Sequence, residues 1–329
     1  MHRRGVPVGQ NPVTIEIVRV ILANPRGFCA GVNMAIDVVD EALRIQGPPI
    51  YVYHEIVHNR HVVEGFKDRG VTFVNDVSEV PPGGTLVYSA HGISPAVRAE
   101  SKARGLREVD ATCPLVTKVH MEVTRFAKRG DTIVFIGHRN HDEAVGTVGE
   151  APESVVVVES PEEVDALNVA DPNRLSYVTQ TTLSVSDAER IIAALKKRFP
   201  NIKAPPKDDI CYATTNRQNA VTEFAKDVDL VLVIGSKNSS NSQRLVDRAI
   251  EAGKPAYLID DESEINPAWF KGVQAVLVTA GASAPEHLID NLLGRLRKEF
   301  GGVVETRTLV QEDVSFAPPS SLKSLVVLK

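Results

Sequence analysis

The sequence contains few cysteines, few aromatic residues and no long apolar run. Three cysteines and one tryptophan occur in 329 residues, and aromatic residues make up only 5% of the chain. No apolar run approaches the roughly 20 residues of a membrane span, and the first residues lack the apolar core of a signal peptide. We therefore expect a cytoplasmic protein without a membrane partner. An odd number of cysteines does not fit a closed disulfide framework and is typical of thiols kept reduced in the cytosol.

The chain also lacks an excess of basic residues. It has 37 Lys and Arg against 42 Asp and Glu, a formal net charge of −5. Such a chain has no overall attraction for nucleic acid, so an anionic ligand must be bound by a local site. The length and the 43% hydrophobic content indicate a globular protein with two or three subdomains. We expect an enzyme or a binding protein that acts on a small molecule.

The three cysteines share one sequence context. Cys29, Cys113 and Cys211 are far apart in the chain, yet each stands where a predicted strand is followed by a predicted helix. A helix N-terminus lowers the pKa of a thiol and favours the thiolate that binds metal. A single cysteine is commonly just a small buried apolar residue. Three that the fold brings together could hold an iron–sulfur cluster with one free iron, since four cysteines ordinarily hold a cubane cluster.

Apolar, β-branched runs alternate with helical patterns along most of the chain. The runs are Ile17–Leu22, Ile50–Tyr53, Thr85–Tyr88, Thr132–Ile136, Ser154–Val158, Asp229–Ile234, Ala256–Ile259 and Ala275–Val278. Apolar positions at helical spacing lie between several of them, most clearly after each cysteine. This alternation predicts an α/β protein of three units of roughly 80 to 100 residues, each contributing one cysteine.

Polar side chains follow several of the predicted strands, in Ser89–Gly92, Gly137–Glu143, Thr179–Thr182, Gly235–Ser242 and Thr279–Ser283. Because α/β proteins bind ligands where parallel strands end, these hydroxyl, amide and imidazole groups could bind a phosphate or diphosphate at helix N-termini. Ser240 with Gln243, and Ser283 with Glu286, also fit capping boxes, which helix stability alone would explain. The two interpretations are compatible because both use a helix N-terminus.

The segment His54–His58 matches the H-E-x-x-H pattern of zinc metalloproteases. That chemistry needs a helix, which sets both imidazoles on one face. The segment follows a strand-like run and contains a β-branched pair, so we predict a loop and rank a zinc hydrolase behind other functions. His138 and His141 also have a spacing compatible with a metal, but Gly137 and Asn140 again indicate a loop.

Glu143 has two interpretations from the sequence. In a glycine-flanked loop it could be a solvated surface charge, which is the more common case. In a cleft that contains a metal-bound oxygen it could instead donate a proton, with the hydroxyl of Thr181 or Thr182 as a relay.

Four segments, taken in order, resemble one enzyme family. They are Asn24–Val32, Asp110–Val116, Asp209–Gln218 and Gly235–Ser242. The chain resembles the 4-hydroxy-3-methylbut-2-enyl diphosphate reductases, the last enzymes of the methylerythritol phosphate route to isoprenoids. The resemblance extends from about residue 18 to about residue 296, and it leaves only the two ends of the chain without interpretation.

The resemblance implies a trefoil of three α/β lobes around a central [4Fe–4S] cluster, one per chain. It implies that Cys29, Cys113 and Cys211 hold the cluster. It also implies a substrate diphosphate bound by His58, His91, His141, Ser239, Ser240, Asn241 and Ser283. We expect lobes at residues 18–113, 114–207 and 208–296, after a flexible extension at 1–17 and before a C-terminal tail at 297–329.

The implied reaction is a reductive dehydroxylation of the allylic alcohol diphosphate in two single-electron transfers through the open-iron cluster. It gives isopentenyl and dimethylallyl diphosphate. Glu143 would donate the proton, and Thr181 would orient the substrate hydroxyl. A small ferredoxin or flavodoxin would supply the electrons. A cluster-dependent dehydratase, which needs no external electrons, is the leading alternative.

At one position the chain departs from the pattern of that family. The residue between the matching His and Glu is commonly Pro there, whereas Asp142 stands between His141 and Glu143 here. The extra carboxylate leaves the site assignment intact. We expect it to change the pKa of Glu143 in a direction set by the geometry.

Overall fold

The computed structural model describes residues 18–326, without the side chains of Ser324 and Val326. The predicted extension at residues 1–17 lies outside this range. The strands are β1 Arg19–Asn24, β2 Ile50–Tyr53, β3 Val71–Val74, β4 Thr85–Tyr88, β5 Arg107–Asp110, β6 Thr132–Ile136, β7 Val155–Val158, β8 Leu175–Thr179, β9 Leu230–Ile234, β10 Ala256–Ile259, β11 Ala275–Ala280 and β12 Val303–Thr308. Each of the eight predicted runs overlaps a strand, although β1 and β11 extend beyond their runs; β3, β5, β8 and β12 were not predicted.

The helices lie between the strands. The α-helices are α1 Ala30–Gln46, α2 Arg60–Lys67, α3 Pro95–Ala103, α4 Pro114–Lys128, α5 Asp142–Val148, α6 Pro161–Ala166, α7 Val185–Arg198, α8 Tyr212–Phe224, α9 Ser240–Glu251, α10 Glu286–Phe300 and α11 Leu322–Val326. Short 3-10 helices cover Val77–Glu79, Ala225–Asp227, Glu262–Glu264 and Pro267–Phe270. Within residues 18–326, no helix has the length and apolar character that crossing a membrane would require.

The described strands form three parallel sheets. Their orders are β10-β9-β11-β1-β12, β3-β2-β4-β5 and β7-β6-β8. The strand pairs that define these sheets are parallel. Parallel sheets need their faces covered, and separate clusters of buried apolar side chains pack between each sheet and its helices. The predicted α/β architecture with three lobes is confirmed.

Two strands belong to a different sheet from the one that the predicted lobes imply. β1, which the prediction placed in the first lobe, pairs with β11 and with β12, which the prediction placed in the tail. The reason is burial, because Val20 and Leu22 pack against Leu232 and Val278 in the core of the five-stranded sheet. The first cysteine therefore follows a strand of the C-terminal sheet.

Helices α1, α4 and α8 begin directly after the three cysteines, as predicted. Pro114 occupies the first turn of α4, where its missing N–H costs nothing. The predicted apolar positions Val119, Val123 and Phe126 of α4 are buried against the three-stranded sheet. Gly47 ends α1 with a φ of 72°, a left-handed conformation that favours glycine. Local signals in the sequence therefore account for the start of α4 and the end of α1.

The C-terminal segment is anchored by a buried ion pair. Arg217 of α8 is only 1% exposed, and its guanidinium donates to Glu312 at 3.0 Å and to the carbonyl of Gly27 at 2.8 Å. Gly27 precedes the first cysteine, and α8 follows the third. Glu312 therefore neutralises a buried charge that joins two of the three cysteine-bearing segments.

We expect Glu312→Gln to lower the free energy of unfolding by about 3 kcal/mol, because it leaves the charge of Arg217 buried without a counter-charge. Urea denaturation followed by circular dichroism measures this difference. Glu305→Gln is the matched control, since Glu305 pairs with Arg307 on the surface and its loss should cost at most about 1 kcal/mol. Equal effects of the two substitutions would contradict the assigned role of Glu312.

Candidate active site

One cavity is lined by every residue that the sequence singled out as a site residue. Most of these residues lie at or shortly after the carboxyl ends of strands in all three sheets, where parallel α/β proteins bind ligands. Cys211 is the exception: the strand predicted before it is absent, and the segment between α7 and α8 that carries it contains no strand. The site residues are Cys29, His58, His91, Cys113, His141, Glu143, Thr181, Cys211, Ser239, Ser240, Asn241 and Ser283. The structure brings together side chains that lie up to 254 positions apart in sequence, from Cys29 to Ser283.

The three cysteines are free thiols, each at the N-cap of its helix. Each backbone N–H donates to a carbonyl of another loop that lines the cavity. Cys29 donates to Ala282 at 3.2 Å, Cys113 to Ala90 at 3.0 Å, and Cys211 to Thr181 at 3.0 Å. The positions of the thiols are therefore coupled to the loops that carry the polar groups.

The thiol environment suits a bound metal centre. A Cβ added at Gly31 would lie 2.5 Å from Sγ of Cys113 and 4.0 Å from Sγ of Cys29, so only glycine leaves room beside these sulfurs. Burial, and then the neighbouring thiols, raise the pKa of Cys113 to about 12 and that of Cys211 to about 11. Thiolates so close together need a cation between them, and three sulfur donors are the ligands that iron–sulfur centres prefer. The donor set fits the predicted cluster.

Three histidines form a compact group on another wall of the cavity. The rings of His58 and His91 stack with centroids 4.0 Å apart, and the ring of His141 meets both edge-on at 5.2 and 5.6 Å. Burial, followed by the nearby imidazoles, lowers the pKa of His141 to about 4 and that of His91 well below its usual value. An anion bound against this group would favour protonation of the rings, which then become charged donors.

Hydroxyl and amide groups at the start of α9 complete the polar wall. Oγ of Ser239 accepts from the backbone N–H of Ser242 at 3.3 Å and lies 3.4 Å from Oγ of Ser283. The side chain of Asn241 accepts from the N–H of Ala282 at 2.8 Å. Because α9 has 12 residues and its N-terminus faces the cavity, this wall combines fixed donors with the positive end of a helix dipole.

Neither predicted capping box forms, because the N-cap residue of each helix is not the predicted serine. The N-cap of α9 is Ser239, so Ser240 already lies inside the helix and donates to the carbonyl of Thr182 instead. The N-cap of α10 is Pro285, and Ser283 donates to the carbonyl of His58 at 2.9 Å. Helix capping therefore does not explain the hydroxyl groups of Ser240 and Ser283.

Glu143 is a buried carboxyl group rather than a surface charge. The residue is 1% exposed, at the start of α5. Its Oε1 accepts from the backbone N–H of Thr181 at 2.6 Å, and its Oε2 accepts from Oγ1 of Thr181 at 2.9 Å. Burial outweighs these two bonds and raises the pKa of Glu143 to about 7. A carboxyl group with this pKa holds a proton near neutral pH and can donate it, as a general acid must.

Asp142 acts on the histidines, not on Glu143. Its Oδ1 is 2.7 Å from Nδ1 of His54, and its Oδ2 is 3.8 Å from Nε2 of His58. Burial opposes ionisation of Asp142, but the bond with His54 prevails and lowers the pKa of the carboxyl, while it raises the pKa of His54. After burial, the acid that raises the pKa of Glu143 is Asp209. Asp142 therefore bridges His54 and His58 and does not have the expected effect on the pKa of Glu143.

As predicted, the H-E-x-x-H segment forms a loop and not a helix. α2 begins only at Arg60, and His54 has a φ of 57°. The segment therefore lacks the geometry of a zinc metalloprotease. His58, His91 and Asp142 do bring ligand atoms within 4.8 Å of one another, a set that could bind a metal ion. Metal analysis of the purified protein distinguishes this set from the thiols.

Thr214, which lines the cavity, and Asp209, a buried acid that affects the pKa of Glu143, were not identified from the sequence. Thr214 lies one helical turn after Cys211; its N–H donates to the sulfur at 3.4 Å, and its hydroxyl accepts from Asn241 at 3.0 Å. The predicted N-cap position of Cys211 could have indicated Thr214, because the N–H three residues after an N-cap residue commonly donates to its side chain. Asp209 is buried and accepts from Lys118 at 2.8 Å and from the N–H of Thr179 at 2.9 Å. No local pattern indicated its burial.

Together these features define a class of protein, an α/β enzyme whose cavity brings together three thiols, three imidazoles, several hydroxyl and amide groups and a buried carboxyl group. The profile of the LytB protein family matches residues 20–297. Over 93% of its length the chain is 53% identical to the 4-hydroxy-3-methylbut-2-enyl diphosphate reductase of Rhodopirellula baltica, covering 96% of that relative. It is 54% identical to the reductase of Salmonella paratyphi C over 93% of this chain and 98% of that one.

The similar solved structures are reductases of the same kind as the relatives found by sequence. The E-1-hydroxy-2-methyl-but-2-enyl-4-diphosphate reductase of Plasmodium falciparum superimposes with a TM-score of 0.92 at 40% identity, over 94% of this chain and 98% of that one. A structure of (E)-4-hydroxy-3-methyl-but-2-enyl diphosphate reductase, described as the terminal enzyme of the non-mevalonate pathway, gives 0.61 at 33% identity, over 86% and 100%. The chain belongs to the LytB protein family, whose relatives named here are 4-hydroxy-3-methylbut-2-enyl diphosphate reductases.

Proposed function

We propose that this chain reduces 4-hydroxy-3-methylbut-2-enyl diphosphate to isopentenyl diphosphate and dimethylallyl diphosphate. The observation that best supports this proposal is that three thiols, three histidines and Glu143 line one cavity of a chain that is 53% identical to a known reductase. The reaction takes two electrons and two protons. One C–O bond breaks, one C–H bond forms, and the oxygen leaves as water.

Cys29, Cys113 and Cys211 would hold one [4Fe–4S] cluster per chain. When bound, the cluster would supply single electrons and, at its iron without a cysteine, Lewis acidity toward the leaving oxygen. The role of the protein is to hold the three sulfurs in place. The backbone N–H groups of the cysteines, which donate to the carbonyls of Ala90, Thr181 and Ala282, fix their positions.

The diphosphate end of the substrate would bind between the histidine group and the N-terminus of α9. His58, His91 and His141 line this cavity together with Ser239, Ser240, Asn241 and Ser283. In the free protein the low pKa values of His91 and His141 keep this cavity from accumulating positive charge. The incoming anion would raise those pKa values, so the histidines gain charge as the substrate binds.

Glu143 would deliver the proton that turns the hydroxyl group into water. Thr181 holds both carboxyl oxygens of Glu143 and would orient the substrate hydroxyl toward it. Burial keeps the proton on Glu143 near neutral pH and excludes competing water. A reduced ferredoxin or flavodoxin would supply the electrons.

The test is an anaerobic assay of the purified chain with 4-hydroxy-3-methylbut-2-enyl diphosphate and photoreduced 5-deazaflavin. We expect both isoprenoid diphosphates, with two electrons consumed for each product molecule. Turnover of the substrate without any reductant would contradict the proposal and favour the dehydratase. Zinc in place of iron, retained after loss of the cysteines, would favour a histidine-bound metal instead.

We expect His58→Ala and His91→Ala each to raise the Kd of the substrate about 10- to 100-fold, because each removes a donor to a charged group. Isothermal titration under argon, without reductant, measures binding separately from turnover. His287→Ala on the exposed start of α10 is the control and should leave the Kd unchanged. Unchanged affinity in both cavity variants would refute the diphosphate assignment.

A further inference from the structure

The outer face of α4 is an exposed stripe that begins next to one of the three thiols. Its side chains recur every three or four residues and are exposed: Pro114, Thr117, Met121, Arg125 and Lys128. The opposite face of the helix is buried in the core of the three-stranded sheet. Met121 is 68% exposed, the largest fraction among the exposed large apolar side chains of residues 18–326. An apolar side chain in this position is suited to contact another protein.

The surroundings of this stripe are basic in a chain that is acidic as a whole. Two grooves beside Met121 are lined by five basic and three acidic side chains: Arg98, Lys118, Arg125, Lys128 and Arg129, against Asp110, Glu122 and Glu150. The acids are engaged within the protein. Asp110 pairs with Arg98 at 2.6 Å, and Glu150 lies 2.8 Å from His120.

Two of the basic side chains are available to a partner. Among the described residues, neither Arg125 nor Lys128 lies within salt-bridge distance of a carboxylate; Arg125 packs over the ring of Phe126. Glu122, the acid next to them on the helix, is only 7% exposed. The stripe therefore presents positive charge around an apolar centre.

The stripe is also close to the proposed redox centre. Cys113 is the N-cap residue of α4 and lines the cavity, and Pro114 and Thr112 line the groove on the outside. At 1.5 Å per residue, Met121 lies only about 12 Å along the helix axis from Cys113. A protein seated on the stripe would therefore be separated from the sulfur of Cys113 by about two turns of helix.

We infer that the outer face of α4, from Pro114 to Lys128, is the docking site of a small acidic protein that carries one electron. The inference rests on the proposed function. Each docking event would bring one electron from the reduced carrier, and the oxidised carrier would leave, so two events supply the two electrons of one turnover. Charge complementarity would steer encounter, and the small contact would let the carrier exchange rapidly.

The experiment compares two double charge reversals in the full-length, cluster-containing protein. R125E/K128E changes the stripe. K196E/K197E is the matched control, because these exposed lysines lie in the last turn of α7, on the opposite face of the same sheet. Both variants make the same charge change and place acids at a helix C-terminus. The probe is a reduced acidic [2Fe–2S] ferredoxin, and photoreduced 5-deazaflavin is the uncharged reductant.

We expect R125E/K128E to raise the KM for ferredoxin, and its Kd in a binding titration, at least about 10-fold. Its rate with deazaflavin should equal that of the parent, and the salt dependence of the ferredoxin-driven rate should weaken. The neutral pair R125Q/K128Q should show a smaller rise. Equal ferredoxin kinetics in R125E/K128E and K196E/K197E would overturn the docking site. A parent chain inactive with both reductants would instead overturn the proposed function, and the docking site with it.

Discussion

Replacing Glu143 by Gln is expected to lower the turnover rate about 10²- to 10⁴-fold, because the amide fills the same space but has no proton to donate. Substrate binding should change less than about threefold, since the diphosphate groups would contact other residues. Single-turnover reduction under argon, followed by product analysis, gives the rate, and titration gives the Kd. Glu163→Gln, at a partly exposed glutamate that pairs with Arg139, is the control. A rate within threefold of the parent would remove Glu143 from the mechanism.

The same residue predicts the pH dependence of the reaction. Its pKa is raised to about 7, so the proton-donating form is complete below that value and is lost as the pH rises through it. The turnover rate should therefore fall on the alkaline side of about pH 7. The free energy of unfolding should depend on pH in the same direction. Because the pKa of Glu143 is raised in the folded protein, its contribution to stability is complete below the ordinary carboxyl pKa and is lost as the pH rises through about 7. Both dependences should weaken in Glu143→Gln.

The sequence predicted eight strands from short apolar runs; it missed β3 and β8, which have a similar composition, and β5 and β12, which do not. β2, β4, β6 and β10 have the predicted bounds, because each is a short apolar run before a turn. β5, Arg107–Asp110, has charged residues at three of its four positions, and β12 has only two adjacent Val followed by Glu-Thr-Arg-Thr at the edge of its sheet. Their pairing with distant strands supplies the stability that their composition does not indicate.

The candidate site shows the same limit. Helix starts and strand ends can be recognised locally and indicated where polar groups would lie, but the set of residues expected to meet came from the family resemblance. The burial of Glu143 could not be predicted, since it depends on Thr181 and on the packing of α5 against the three-stranded sheet. The sheet to which β1 belongs could not be predicted for a related reason: parallel pairing joins residues about 280 positions apart, such as Arg19 and Val303. Local patterns contain no information about that register.

Replacing any one of the three cysteines by Ser is expected to abolish the cluster and at least about 99% of the turnover. Iron and acid-labile sulfide should fall from about four of each per chain to a small remainder, because a cubane with only two protein ligands is poorly held. Both are measured chemically after anaerobic purification. The absorbance of the cluster gives an independent readout.

Serine removes the thiol with little expected effect on the fold, because each cysteine is the N-cap residue of a helix. The Ser hydroxyl is among the best N-cap acceptors, so Cys211→Ser can keep the bond from the N–H of Thr214 and the start of α8. The variants should therefore retain parent-like circular dichroism and lose iron alone. Ser283→Ala, which changes a hydroxyl of the same cavity without touching a thiol, should retain the full iron content. Iron retained in the cysteine variants would mean that other ligands, such as the group around His58 and Asp142, bind the metal.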